Sequence, residues 1–245
     1  MTLKSFGCSF IWGSDLPDTL DTTRKALPPS NFTYPALLAQ HFGLEYACYA
    51  RPGSGNLQIL ERILNEVPTS TSQDLFVIGW TWTDRFDYCH STDPNLGLWV
   101  NPNNPTHKTT PWLTIMPCVE NDLSHTYFQH LHSEYRDKFT CLTYAKLAID
   151  ILQQHNIPFV MNYMDELMFD QRWHTTPGVL MLQDTVKSHM TQFDNLTFLN
   201  WSRHHGFAES ATWHPLEEAH SAAADYMITV FDKQKTSGPV QRVLF

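Results

Sequence analysis

Asp74-Leu75-Phe76-Val77-Ile78-Gly79-Trp80 is the stretch on which the fold turns. A near-continuous apolar run of this length reads as a strand covered on both faces, and such strands belong to parallel sheets with helices above and below. The chain before it follows the same logic. Leu3–Phe6 reads as a first strand ending in the turn Gly7–Ser9, and Tyr34–Phe42 as a helix, with Pro35 tolerated in its first turn and Gly43 stopping it. Glu45–Tyr49 reads as a second strand. The loop Arg51-Pro52-Gly53-Ser54-Gly55-Asn56 then turns on its glycines, and Leu57, Ile59, Leu60, Ile63 and Leu64 continue as an amphipathic helix.

Beyond the central strand, residues from Asp84 to about His125 are rich in Pro, Asn, Thr and Asp and show no clear period. A connection this long predicts a lid or specificity insertion, at about 84–125, within a single domain spanning 1–245. A long helix is expected from Tyr127 to His155, with Phe139, Leu142, Ala145, Leu147, Ala148, Ile151 and Leu152 as its buried face. Pro158–Tyr163 reads as the fourth strand, Val179–Met190 as a helix, Leu196–Leu199 as a short fifth strand, and Pro215–Phe231 as a final helix begun by proline. Five strands alternating with helices predict a three-layer α/β/α sandwich around a mainly parallel sheet, of flavodoxin-like type.

Composition narrows the partners. The 245 residues carry 16 basic and 25 acidic side chains, a net charge of −9, which disfavours binding along a phosphate backbone or an anionic membrane. Cys8, Cys48, Cys89, Cys118 and Cys141 are odd in number and scattered, as expected of reduced thiols in a cytoplasm. The opening residues lack the basic-then-apolar pattern of an export signal, and no run approaches the length of a membrane span. A soluble cytoplasmic protein is therefore expected, and the sequons at Asn31, Asn195 and Asn200 carry no weight. His130-x-His132 and His204-His205 do not assemble a recognisable ligand set, so neither metal nor cofactor is expected. Oligomeric state leaves no mark in the sequence.

In an open parallel sheet, ligands bind outside the carboxyl ends of the strands. The residues found there are Ser9, Gly55-Asn56, Trp80-Thr81-Trp82 and His214. The segment Phe6-Gly7-Cys8-Ser9-Phe10-Ile11-Trp12-Gly13, the loop Ser54-Gly55-Asn56, and Trp213-His214-Pro215 with a second histidine at His220 together resemble the blocks of the SGNH or GDSL hydrolases, in the same strand order. The Gly-Cys-Ser-Phe form of the first block resembles bacterial and phage members.

That resemblance implies a serine hydrolase acting on a carboxylic ester, such as an acetylated sugar or another small acyl ester, through an acyl-enzyme. Ser9 would be the nucleophile and His214 its base. The amides of Ser9 and Gly55, joined by Thr81 Oγ, would bind the oxyanion. Two departures stand out: Thr81 occupies the place of the family's third-block Asn, and Ala211 stands three residues before His214, where the family has its Asp. Glu209, or a backbone carbonyl near Ala211, could take over part of that acid's task. Cys8 stands where the family has Asp, and its thiol is read as packing. Asn56, Trp12, Trp80, Trp82, Arg85 and Trp213 are expected to meet substrate, with Arg51 as a further anion-gripping candidate.

Each assignment has a plainer counterpart. Ser9 can cap a helix, Gly53 and Gly55 can serve a turn, Asn56 can cap the helix that follows, and each tryptophan can simply pack. His220 is read as a buried helix residue. Two other functions remain open at this stage: an acyltransferase on the same fold, and a catalytically weak module that binds carbohydrate or a protein.

Overall fold

A computed structural model describes residues 1–19, 28–89 and 112–236. Four strands, β1 (Thr2–Phe6), β2 (Glu45–Cys48), β3 (Leu75–Trp80) and β6 (Phe159–Tyr163), form a parallel sheet in the order β2-β1-β3-β6. Every residue of β3 is buried, as the opening apolar run requires of an interior strand. Its side chains alternate between two cores: Leu75 and Val77 face one, Phe76, Ile78 and Trp80 the other.

The first core is closed by α1 (Ser9–Trp12), α2 (Tyr34–Phe42), α7 (Phe198–His204) and α8 (Glu217–Thr236), which contribute Phe10, Ile11, Leu38, Phe198, Ala223 and Met227. The second is closed by α3 (Asn56–Glu66), α5 (Glu134–Gln154) and α6 (Pro177–Lys187), through Ile59, Ile63, Leu142, Ala145, Leu152 and Val186. Helices on both faces of a mainly parallel sheet make the three-layer α/β sandwich that the sequence predicts. No helix among the described residues is long and apolar enough to cross a membrane.

Four expectations are corrected. The sheet has four strands among the described residues. The expected fifth, Leu196–Leu199, instead enters α7, because Thr197 accepts a hydrogen bond from the Asn200 amide (3.2 Å) and caps that helix. The place beside β6 is taken by a single parallel bridge, Met161 to Met190, with the Thr191 amide donating to the Met161 carbonyl at 2.7 Å.

The expected helix from Tyr127 to His155 is two: α4 (Asp122–His130) and α5, separated at Leu131–Ser133. Ser133 accepts from the Arg136 amide and starts the second helix. Within α5, Phe139 and Leu147 are exposed and not part of the buried face. The last helix begins at Glu217, because Pro215 bridges to Glu209 instead of opening the helix.

Within the expected insertion, β4 (Phe86–Cys89) and β5 (Trp112–Ile115) pair antiparallel. Residues 90–111, the middle of the expected lid, lie outside the described residues. Asp87 of β4 fastens this pair to the sandwich: its carboxylate accepts from the Gly55 amide (3.0 Å), the Gln58 amide (3.0 Å) and the Thr114 hydroxyl (2.7 Å). A carboxylate at the amino end of α3 meets two unpaired amides and the positive end of the helix dipole.

Candidate active site

The site grows from the turn after β1. Gly7 is required there, because a Cβ would collide with Ile11 and sit 3.0 Å from the Gly79 carbonyl of the neighbouring strand. With that close approach, the chain enters the single turn α1, whose first residue is Ser9, and Gly13 ends it in the left-handed region at φ 84°. The amides of Ser9 and Phe10 stand at the start of this helical turn without a hydrogen-bond partner among the described residues. Cys8 is fully buried in the core beside them.

The same segment carries a residue that the sequence did not single out. Asp15, at φ 69°, turns its carboxylate onto the loop before α8. Its Oδ2 lies 2.7 Å from His214 Nδ1 and accepts from the hydroxyls of Ser210 (2.7 Å) and Thr212. Ser210 in turn accepts from the amides of Thr212 (3.2 Å) and His214 (3.1 Å), so one short loop holds both the imidazole and the groups around its acid.

Burial alone would raise the Asp15 carboxyl. The hydrogen bonds from Thr212, Ser210 and His214, with the nearby imidazole, outweigh it and hold the carboxyl below its ordinary range. An ionised carboxylate can only accept, so Nδ1 carries the hydrogen and Nε2 is left as the basic nitrogen. Nε2 has no partner among the described residues. Phe10, next to Ser9, places its ring 5.2 Å from the His214 ring, which brings the Ser9 turn and the His214 loop together.

The remaining candidates divide. Thr81, just past β3, is buried, and its Oγ1 has no hydrogen-bond partner among the described residues. The Gly55 amide is engaged by Asp87, as described above. Asn56 is spent internally: Oδ1 accepts from the Thr81 amide (2.8 Å) and Nδ2 donates to the Thr81 carbonyl (3.1 Å). Glu209 forms a two-point pair with Arg203 (2.7 and 3.1 Å) and makes no bond to His214. Trp80 is fully buried and belongs to the core.

Trp82 is half-buried beneath the Arg85 guanidinium, 4.9 Å from its ring centre, while Arg85 donates to the Ser54 carbonyl at 2.9 Å. Trp12 lines an open cavity, and Trp213 is 69% exposed beside His214. His220 is a core residue that accepts from the Tyr34 amide at 3.2 Å. Burial and then the neighbouring His214 push its pKa down to about 3, so it stays neutral. Among the described residues no group of three or more His, Cys, Asp or Glu is arranged to hold a metal.

Neither a family sequence model nor any curated protein sequence matches the chain. Solved structures do. A lipolytic protein of the G-D-S-L family from Veillonella parvula superposes with a TM-score of 0.50 at 12% identity, over 95% of this chain and 99% of its own. A family 2 carbohydrate esterase with a carbohydrate-binding domain, from Corynascus thermopiles (Myceliophthora fergusii), superposes at 0.50 and 15% identity, over 95% of this chain and 65% of its own. A further carbohydrate esterase, described as having divergent catalytic and non-catalytic binding functions in its active site, gives 0.50 at 14%, over 97% and 69%.

The chain therefore has the fold of the SGNH or GDSL hydrolases. The resemblance carried by the Ser9, Gly55 and His214 blocks holds at the level of the fold.

Proposed function

We propose that this protein is a serine esterase that cleaves small acyl esters, with acetylated carbohydrate as the substrate class. The observation that carries the reading is the Asp15–His214 bond, placed on the segment that also presents Ser9. It supplies the acid that the sequence lacks at Ala211. Ser9 Oγ attacks the acyl carbonyl and its proton passes to His214 Nε2. Asp15 stabilises the resulting imidazolium and keeps the ring in the required tautomer. Collapse of the tetrahedral intermediate releases the alcohol, which takes the proton from His214. Water, activated by the same nitrogen, then hydrolyses the acyl-enzyme.

The negative oxygen of the intermediate is met by the unpaired Ser9 amide and the unpartnered Thr81 hydroxyl, with the Gly55 amide left to Asp87. The carbohydrate assignment draws on the esterase neighbours and on the exposed Trp213 ring, whose apolar face suits a sugar.

The test is turnover of p-nitrophenyl acetate and acetylated glycans by wild type and Ser9→Ala. We expect the variant to lose at least about a thousandfold in kcat; equal rates from both proteins would remove Ser9 from the mechanism. Transfer of the acyl group to a sugar hydroxyl instead of water is read from product analysis in the same assay.

One observation favours a second reading, a carbohydrate-binding module with weak catalysis: Asp87 engages the Gly55 amide, which leaves the oxyanion one donor fewer. A fluorophosphonate that labels Ser9 in the folded protein counts against that reading.

A further inference from the structure

Beside the Ser9 turn, at the carboxyl end of β2, lies a cavity of about 430 Å³ walled by Trp12, Tyr49, Arg51, Glu61, Arg62 and Trp112. This volume falls in the range of small-ligand sites. The cavity is tied to the nucleophile segment twice. Trp12 ends the helical turn that Ser9 begins, and the Arg51 amide donates to the Gly7 carbonyl at 3.0 Å, two residues before Ser9.

Its charges are unusual for an acidic protein. Among the described residues Arg62 is held by neutral acceptors: the Ser54 hydroxyl (3.0 Å), the Gln58 side-chain oxygen (2.8 Å) and the Tyr49 carbonyl (3.4 Å). Neither Arg51 nor Arg62 forms an ion pair with a carboxylate among the described residues, although the chain holds 25 acids against 16 bases. Arg62 is half-buried, where a guanidinium ordinarily finds a carboxylate because burying the charge alone is costly, whereas Arg51 is exposed and keeps its charge in contact with solvent. Arg62 shows that cost, because burial and then the like charge of Arg51 push its pKa down to about 10. Glu61 on the same wall offsets one of the two charges.

From this arrangement we infer that the cavity is a subsite for a singly charged carboxylate on the sugar portion of the ester, so that the preferred substrate is an acylated uronic acid or a similar acidic sugar. The inference rests on the esterase reading. The planar fork of Arg51 matches a carboxylate, and Trp12, Tyr49 and Trp112 supply apolar faces for the ring that bears it. Two guanidiniums and one carboxylate leave a single net positive charge. That balance suits a monoanion better than a doubly charged phosphate.

The test compares kcat/KM for monoacetylated methyl glucuronoside, monoacetylated methyl glucoside and its 6-phosphate, in low salt and in about 0.5 M salt. Wild type should favour the glucuronoside over the glucoside by at least about tenfold in low salt, the worth of one charge-assisted contact. That ratio should collapse toward one in Arg51→Gln and shrink in high salt. A ratio near one in an active wild type overturns the subsite and leaves the esterase reading standing, as does an unchanged ratio in folded Arg51→Gln. Preference for the phosphate by tenfold or more overturns the carboxylate assignment.

If no ester is turned over, the esterase reading fails, and titration of wild type with methyl glucuronoside and methyl glucoside, followed by NMR, decides the subsite separately. Tighter binding of the acid, lost in Arg51→Gln, supports it; equal or absent binding overturns it.

Discussion

Replacing Asp15 with Asn keeps the shape of the side chain and removes its charge. Asp15 Oδ2 and His214 Nδ1 are 2.7 Å apart, with the two side chains 31% and 16% exposed. Opposite charges at about 4 Å attract by roughly 4 kcal/mol at an effective dielectric near 20, and partial exposure lowers this to about 2–3 kcal/mol. The attraction exists in full only when the imidazole is protonated, so its loss falls on the transition state: about 30- to 150-fold in kcat from charge alone. A second loss adds to it. The Asn amide can donate to Nδ1 and stabilise the tautomer with hydrogen on Nε2, which leaves His214 unable to accept from Ser9. In a fully buried serine protease triad the corresponding change costs about 10⁴.

We therefore expect Asp15→Asn to lower kcat by about 10²–10⁴ and to change KM by less than about threefold. Initial rates with p-nitrophenyl acetate and an acetylated sugar, on protein shown to be folded by its melting curve, give the answer. Glu209→Ala, which breaks only the pair with Arg203, should leave kcat within about twofold. If folded Asp15→Asn keeps kcat within about threefold of wild type, or Glu209→Ala causes the larger loss, the Asp15 assignment is wrong.

Two further outcomes follow from the same geometry. Thr81→Val removes a buried hydroxyl that has no partner among the described residues, so the melting temperature should hold or rise. Its kcat should nonetheless drop by about 10²–10³ if that hydroxyl meets the oxyanion; a variant with unchanged kcat would exclude Thr81. Asp84 is raised to about 6 by burial, with the negative charges of Asp165 and Asp137 adding to it. Its ionised form is thus disfavoured in the folded protein, and the resulting instability is absent below about pH 4, grows as pH rises, and is complete above about pH 6. Asp84→Asn should accordingly stabilise by roughly 1–2 kcal/mol at pH 7.5 and by nothing near pH 4, read as the difference in melting temperature; a gain independent of pH would refute the assignment.

Elements whose local pattern and tertiary setting agree were readable in advance. Pro35 in the first turn and Gly43 at φ 66° bound α2 as expected, and the apolar run at 74–80 became the buried β3. Misreadings came where local signals were short or ambiguous. Leu196–Leu199 is four residues with a threonine, compatible with a strand or with a capped helix, and the Thr197 cap decided for the helix. The junction of α4 and α5 was hidden by continuing helical periodicity, because the break depends on one serine that caps. Trp80 and Trp82 are two residues apart at a strand end, yet one is sealed in the core and the other lies under Arg85.

The sequence by itself determined the layered α/β sandwich, the four strands of its sheet and the turn after β1 that carries Ser9, since periodicity, glycine and proline act over a few residues. It could not reveal the partner of His214. Local reasoning searched for an acid beside the histidine, found Ala211 and Glu209, and passed over Asp15. Only the tertiary structure decided that, by folding the turn after β1 against the loop before α8 and so bringing together two groups 199 positions apart. The same packing turned the Gly55 amide toward Asp87 and left two arginines facing one cavity. Contacts between distant segments depend on how whole layers close, and short-range sequence signals do not encode that closure.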